Sequence, residues 1–133
     1  DKRKRDQGMT VSAFCSVSLE PPLVLMCIEH ASTLYKTLDS ASHFTVNILS
    51  EGQEAMARRF AERGANRFEG IGFTRGQNGM AIFEDILGHV ECEIVARHEA
   101  GDHDIIVGSV DVAVANEGKP LLYYRGGYAR LER

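Results

Sequence analysis

From Met9 to Leu19 the chain alternates without a break. Met9, Val11, Ala13, Cys15, Val17 and Leu19 fall on one side, and Thr10, Ser12, Phe14, Ser16 and Ser18 on the other. Strict period-two alternation predicts a half-buried β-strand. Glu20-Pro21-Pro22 ends it, because proline brings no N–H to a ladder. The continuous apolar run Leu23 to Ile28 predicts a buried strand paired with the first. Ser32 then stands as a helix N-cap, with Leu34, Leu38 and Ala41 on one apolar face. His43 to Leu49 reads as a strand that places Phe44, Val46 and Ile48 together. Ser50-Glu51-Gly52-Gln53 has the form of a capping box, and its helix is expected to run to about Arg63 and stop near Gly64, with Met56 and Phe60 as its core stripe. The glycine-rich stretch 65–79 predicts a long loop with one short strand. Gly88 to His98 alternates again, Val90, Cys92, Ile94 and Ala96 opposing His89, Glu91, Glu93 and Val95. After a Gly101–Asp104 turn, Ile105 to Ala115 predicts a strand with Ile106, Val110, Val112 and Val114 inward. Leu121 to Tyr124 is the last strand expected, and Arg125 to Tyr128 reads as a turn. The sum is a mainly β chain with short helices, antiparallel, best accommodated by a small closed barrel.

The second side of the opening alternation changes the picture. A solvated strand face normally carries Lys, Glu or Arg, whereas this one carries hydroxyls and one ring. Such a face suits a polar ligand such as a phosphate or a heterocycle; it equally suits the Ser/Thr-rich outside of a barrel. Ser32 and Thr33 at a helix start offer hydroxyls and free N–H groups to an anion, or serve only as a cap. His103 is flanked by Asp102 and Asp104, which would orient an imidazole for proton transfer or ligand contact, although Asp-His is also ordinary turn composition. His30 stands beside a helix start, and His89 reads as a surface residue. Arg58, Arg59, Glu62 and Arg63 read as a solvated helix face.

Composition narrows the class. The 133 residues suit one domain, 44% hydrophobic and 26% charged, with a net charge of −4 that gives no reason to expect a nucleic-acid partner. The basic run Lys2 to Arg5 reads as a solvated terminus. No apolar run approaches membrane-spanning length, so no membrane partner is expected. The three cysteines, Cys15, Cys27 and Cys92, sit among apolar neighbours and read as thiols of a reducing compartment, the cytoplasm by default. There is no G-x-G-x-x-G, Walker A or H-E-x-x-H pattern, and the histidine spacing gives no metal site.

Four stretches in order, GMTVSAFCSVSLEPPLVL (8–25), FTVNILSEGQEAMARRFA (44–61), ECEIVARHEAGDHDIIVGSV (91–110) and KPLLYYRGGY (119–128), resemble the flavin reductase-like family. These are short-chain NAD(P)H:flavin oxidoreductases that serve two-component monooxygenases. The resemblance implies an FMN-binding split β-barrel that forms a homodimer and uses FMN or FAD with NADH or NADPH. It places flavin contacts at Thr10, Val11, Ser12, Ala13 and Phe14, at Ser16 and Ser18, and at Cys27, Ile28, Glu29, His30, Ala31, Ser32 and Thr33, with Ser32 and Thr33 nearest the phosphate. It sets the Asp102-His103 turn against the nicotinamide, with His103 in the catalytic position, and packs Tyr128 against the cofactors. Members usually begin with a helix and a Val/Thr-rich strand before the GMT segment; residues 1–133 are read as a single domain without them. The alternatives are a tightly bound FMN oxidase of the pyridoxamine-phosphate type and a flavin-binding module without NADH turnover.

Overall fold

The computed structural model describes residues 6–62 and 68–132. The expected helix end at Arg63 and Gly64, the first part of the 65–79 loop and the Lys2–Arg5 run lie outside the described residues.

Strands β1 (Phe14–Leu19) and β2 (Pro22–Glu29) form a hairpin. Helix α1 (Thr33–Asp39) follows, then β3 (His43–Ile48), α2 (Glu54–Ala61) and a small hairpin of β4 (Phe73–Arg75) and β5 (Ala81–Phe83). The long strands β6 (Gly88–Ala100) and β7 (His103–Ala115) turn at Gly101, whose φ of +67 suits a residue without Cβ. The chain ends in a hairpin of β8 (Leu121–Tyr124) and β9 (Gly127–Arg130). Five strands make one antiparallel sheet in the order β1-β2-β7-β6-β3.

The sheet does not close on itself among the described residues, which corrects the closed barrel expected from alternation. The cause lies at both edges. Residues 8–13 belong to no strand; the Thr10 amide and hydroxyl instead donate to Phe60 O (3.2 Å) and Ala57 O (2.6 Å) at the end of α2. The chain beyond β3 is taken by the last hairpin, where the Leu121 amide donates to Leu49 O at 3.1 Å and the Glu51 amide to Lys119 O at 2.9 Å.

Register corrects the opening strand further. Phe14 and Ser16 stand opposite Met26 and Val24, but the ladder shifts at Val17, and Ser18 stands opposite Leu23. A one-residue shift moves every following side chain to the other face. Ser16 therefore shares the face of buried Val24 and Met26, and Ser18 lies on the opposite face. Val17 and Leu19 are exposed, at 50% and 90%.

The core is the inner face of the sheet: Val24, Met26, Ile28, Phe44, Cys92 and Ile106, closed by Leu38 of α1. The Leu23–Ile28 run is not buried on both faces, because Leu23, Leu25 and Cys27 remain half-buried opposite Ser109, Val107 and Ile105. Ile106 is buried as expected, whereas Val114 and Ile48 reach solvent. Gly108 is required by packing, since a Cβ there would stand 2.6 Å from Phe44 Cζ. A second cluster, Phe60, Phe68, Phe73 and Phe83, packs between α2 and the β4–β5 hairpin with ring centroids 5.0 to 6.4 Å apart.

Three local expectations also change. Gln53, not Ser50, is the N-cap of α2; half of the capping box survives, as the Ser50 amide donates to Gln53 Oε1 at 2.9 Å while the Ser50 hydroxyl donates to Asp85 O. The tail forms a strand as well as a turn, because Arg125 and Gly126, with φ of +54 and +80, make a two-residue hairpin loop of the primed kind. His89 is buried at 7% exposure, its Nε2 3.0 Å from Oε2 of Glu91, which is 2% exposed. The turn before β5 covers this face of β6, and the Asn78 amide donates to Glu91 Oε1 at 3.0 Å.

Candidate functional site

The expected site residues gather in two places. The first is a cavity of about 750 Å³ beneath residues 8–14. Thr10, Val11, Ser12 and Phe14 line one wall, Met26 and Ile28 the sheet side, Phe60 and Phe83 the α2 side, and Tyr128 the mouth of the last hairpin. Its lining is mostly apolar and aromatic, with polar groups from Thr45, Asn47 and His43. A ring system fits such a lining better than a free phosphate does. The Thr10 hydroxyl is engaged by Ala57 O, so the polar offer of this stretch comes from Ser12 and the main chain.

The second place is the end of the sheet where β2 leaves and β7 begins. Ile28 stands opposite Asp104 and Glu29 opposite His103. The His30 amide donates to Asp102 O at 2.8 Å, so the chain leaving β2 is bonded directly to the β6–β7 turn. On that turn His103 Nδ1 lies 2.6 Å from Asp102 Oδ1, with His103 half-exposed and Asp102 open to solvent. The hydrogen bond and the charge of His103 hold the Asp102 carboxyl below its ordinary range. The pairing fixes one ring nitrogen and leaves the other facing outward, the arrangement that an orienting carboxylate gives an imidazole.

Ser32 supplies the test of fit for a ligand here. It caps α1 in an extended conformation but makes no side-chain cap bond, and its buried Oγ has no hydrogen-bond partner among the described residues. A buried hydroxyl without a partner is costly unless something supplies one. The exposed Thr33 follows at the first turn. A phosphate-bearing ligand laid along 29–33 would satisfy Ser32, so these residues fit a flavin nucleotide.

The structure thus brings Glu29, His30, Ala31, Ser32 and Thr33 beside Asp102 and His103. Separately, it brings Thr10 to Ser12, Phe14 and Tyr128 around the cavity, and Ile28 belongs to both places. Cys27 lies on the opposite face from Ile28. Ala13 accepts the Cys27 amide at 3.0 Å on the hairpin edge, and Ser16 and Ser18 sit farther along that hairpin on different faces. Asp104, expected as a carboxylate flanking His103 or as turn composition, is bonded to another histidine, its Oδ1 2.8 Å from His30 Nε2; Tyr35, which sequence reasoning missed, packs its ring on His30 at 4.8 Å. The only signal was that Asp104 repeats the acidic flank of His103. Among the described residues no cluster of His, Cys, Asp and Glu is arranged to hold a metal ion.

One antiparallel sheet thus presents a hydroxyl-bearing loop against an Asp-His turn, beside a cavity lined mostly by apolar and aromatic side chains. Residues 1–132 match the flavin reductase like domain, and the chain belongs to that family. It is 40% identical over 122 residues to the flavin reductase of Pseudomonas putida, covering 91% of this chain and 72% of that protein. It is 40% identical over 129 residues to the reductase component of 4-hydroxyphenylacetate 3-monooxygenase from Thermus thermophilus, covering 96% and 81%. Among solved structures, the NADH:FAD oxidoreductase SgcE6 of Streptomyces globisporus C-1027, in complex with NAD and FAD fragments, superposes with a TM-score of 0.89 at 35% identity, covering 95% of this chain and 78% of that one. The fold is that of these flavin reductases, the split-barrel type.

Proposed function

We propose that this protein reduces FMN or FAD with NADH or NADPH and supplies reduced flavin to a partner monooxygenase. The observation that carries the reading is the joining of the 29–33 loop, with its Ser32 hydroxyl partnerless among the described residues, to the Asp102-His103 turn through the His30 amide. When bound, the flavin supplies a hydride acceptor and the nicotinamide a hydride donor. The protein's part is to hold two rings in register and to keep water out. Ser32 and Thr33 bind the flavin phosphate, the 10–14 stretch carries the ring, and His103, oriented by Asp102, positions the nicotinamide. No protein base is required, in keeping with the absence of a nucleophile motif.

The same reading makes the protein a homodimer. The outer face of the sheet carries half-buried Leu23, Leu25, Cys27, Ile105 and Val107. A second copy would cover this apolar face. We place the protein in the cytoplasm, where its free thiols Cys15, Cys27 and Cys92 stay reduced. Among the described residues no helix is long and apolar enough to cross a membrane.

The test is steady-state NADH and NADPH oxidation with added FMN or FAD, in the wild type and in His103→Ala. The reading expects flavin-dependent turnover and a raised KM for the nicotinamide in the variant. Unchanged KM and kcat in His103→Ala would remove His103 from the site.

A further inference from the structure

We propose that Asp104 is a positioning residue that locks the loop after β2 to the His103 turn and so fixes the separation of the two bound nucleotides. The inference rests on the oxidoreductase reading above and adds residues which that reading does not use.

Successive side chains of a strand point to opposite faces. At the start of β7, His103 faces outward beside Glu29, and Asp104 faces inward beside Ile28. Asp104 is 9% exposed. Its Oδ1 lies 2.8 Å from Nε2 of His30. The Tyr35 phenol on α1 lies in the field of the same carboxylate; burial, and then the Asp104 charge, push it above its ordinary range. The His30 and Tyr35 rings pack with centroids 4.8 Å apart. His30 is therefore tied twice to the residues flanking His103, by its amide to Asp102 O and by its ring to Asp104.

A nearly buried carboxylate is costly to desolvate and is tolerated where donors surround it. Here the donor comes from the loop that follows β2, and the carboxylate belongs to the strand that carries His103. One group thus fastens the flavin side of the site to the nicotinamide side. Without it, the His30 ring loses its acceptor, and the bond from the His30 amide to Asp102 O is left to hold the chain beyond Glu29 to the turn. Ser32, two residues beyond His30, then loses its fixed place relative to His103.

The experiment compares Asp104→Asn, His30→Gln and the double variant in the full chain. The readouts are FMN affinity by fluorescence quenching, KM and kcat with NADH, and amide hydrogen exchange over residues 29–33. The expected result is a rise of about tenfold in both the FMN Kd and the NADH KM in each single variant, the loss of one hydrogen bond to a charged group. kcat should stay within about twofold, and the double variant should be no worse than Asp104→Asn, because the residues act as a pair. Exchange over 29–33 should quicken in every variant. A lowered melting temperature with Kd and KM unchanged would make Asp104 a purely structural residue and overturn the proposal, as would additive effects in the double variant. His30→Gln, at a partly exposed position, keeps the test open if Asp104→Asn does not fold. Wild-type protein that neither binds FMN nor oxidises NADH would sink the oxidoreductase reading instead. The exchange arm would still decide the lock, since unchanged exchange over 29–33 overturns it.

Discussion

Glu91 gives the sharpest stability prediction. Its carboxylate is 2% exposed and takes the Asn78 amide at 3.0 Å and His89 Nε2 at 3.0 Å. Asn78 in turn donates from Nδ2 to Thr45 Oγ1 at 2.9 Å, and its Oδ1 takes the Met80 amide at 3.0 Å. The carboxylate thus anchors the turn that carries Met80 and Ala81 to the cavity wall. Glu91→Ala strands a buried imidazole and the Asn78 amide at once, a cost of about 3–5 kcal/mol. A domain of this size has about 5–15 kcal/mol in all, so the loss is a large fraction of its stability. Glu91→Gln keeps the shape but turns an NH₂ toward one donor, and about 1–3 kcal/mol is expected.

The pH dependence follows from the direction of the shift. Burial pushes the Glu91 carboxyl up, but the Asn78 amide and His89 outweigh it, and the group titrates below its ordinary value. Between the folded value and the ordinary one, the unfolded chain binds more protons, so stability rises with pH. The Glu91 contribution is fully present above the ordinary carboxylate range and is lost as pH falls through the folded value. Urea unfolding followed by circular dichroism, at about pH 7 and at about pH 4, should show the wild type converging on Glu91→Gln as the pH falls. A Glu91→Ala loss below about 1 kcal/mol, or identical pH slopes for the wild type and Glu91→Gln, would refute the reasoning.

Three further outcomes are expected. Gly108→Ala places a methyl 2.6 Å from Phe44 Cζ and 2.9 Å from Cys92 Cβ, and should cost about 1–3 kcal/mol in the urea midpoint, partly recovered by adding Phe44→Leu; a neutral Gly108→Ala would contradict the packing. Burial, helped by Asp111, pushes the Cys92 thiol up to about 11, so a thiol reagent at neutral pH should label exposed Cys15 and leave Cys92 until the chain unfolds, as read by peptide mass spectrometry. Thr10→Val removes the hydroxyl bond to Ala57 O and should lower stability by about 1 kcal/mol; no change in the melting curve would mean that this bond does not hold the 8–13 segment to α2.

Local patterns in the sequence were faithful wherever one face of an element meets one core. The β1–β2 and β6–β7 hairpins, α1, and the inward Phe44 and Ile106 were all legible from alternation and turn residues. The errors share a cause, which is contact between distant segments. Ser16 and Ser18 look like one face on paper, but the shift at Val17 parts them. The Thr10 hydroxyl looks open along the chain, but it donates to Ala57 O of α2 while Thr10 still lines the cavity. His89 looked like a surface residue because nothing in β6 announces the turn that covers it from the other side. For the site, the Asp102-His103 turn and the Ser32 loop were both visible. Asp104 was legible as a flank of His103, but its bond to His30 was not, because the fold brings His30 to it from the loop after an earlier strand.

The account stands most directly on one measurement. FMN or FAD is added to the purified protein under anaerobic conditions, its visible absorption is recorded, and NADH is then added. The account predicts a perturbed flavin spectrum on binding, followed by bleaching of the visible band at a rate that depends on the protein and falls in His103→Ala. A flavin spectrum unchanged by the protein, or a bound flavin that NADH leaves oxidised, would contradict it.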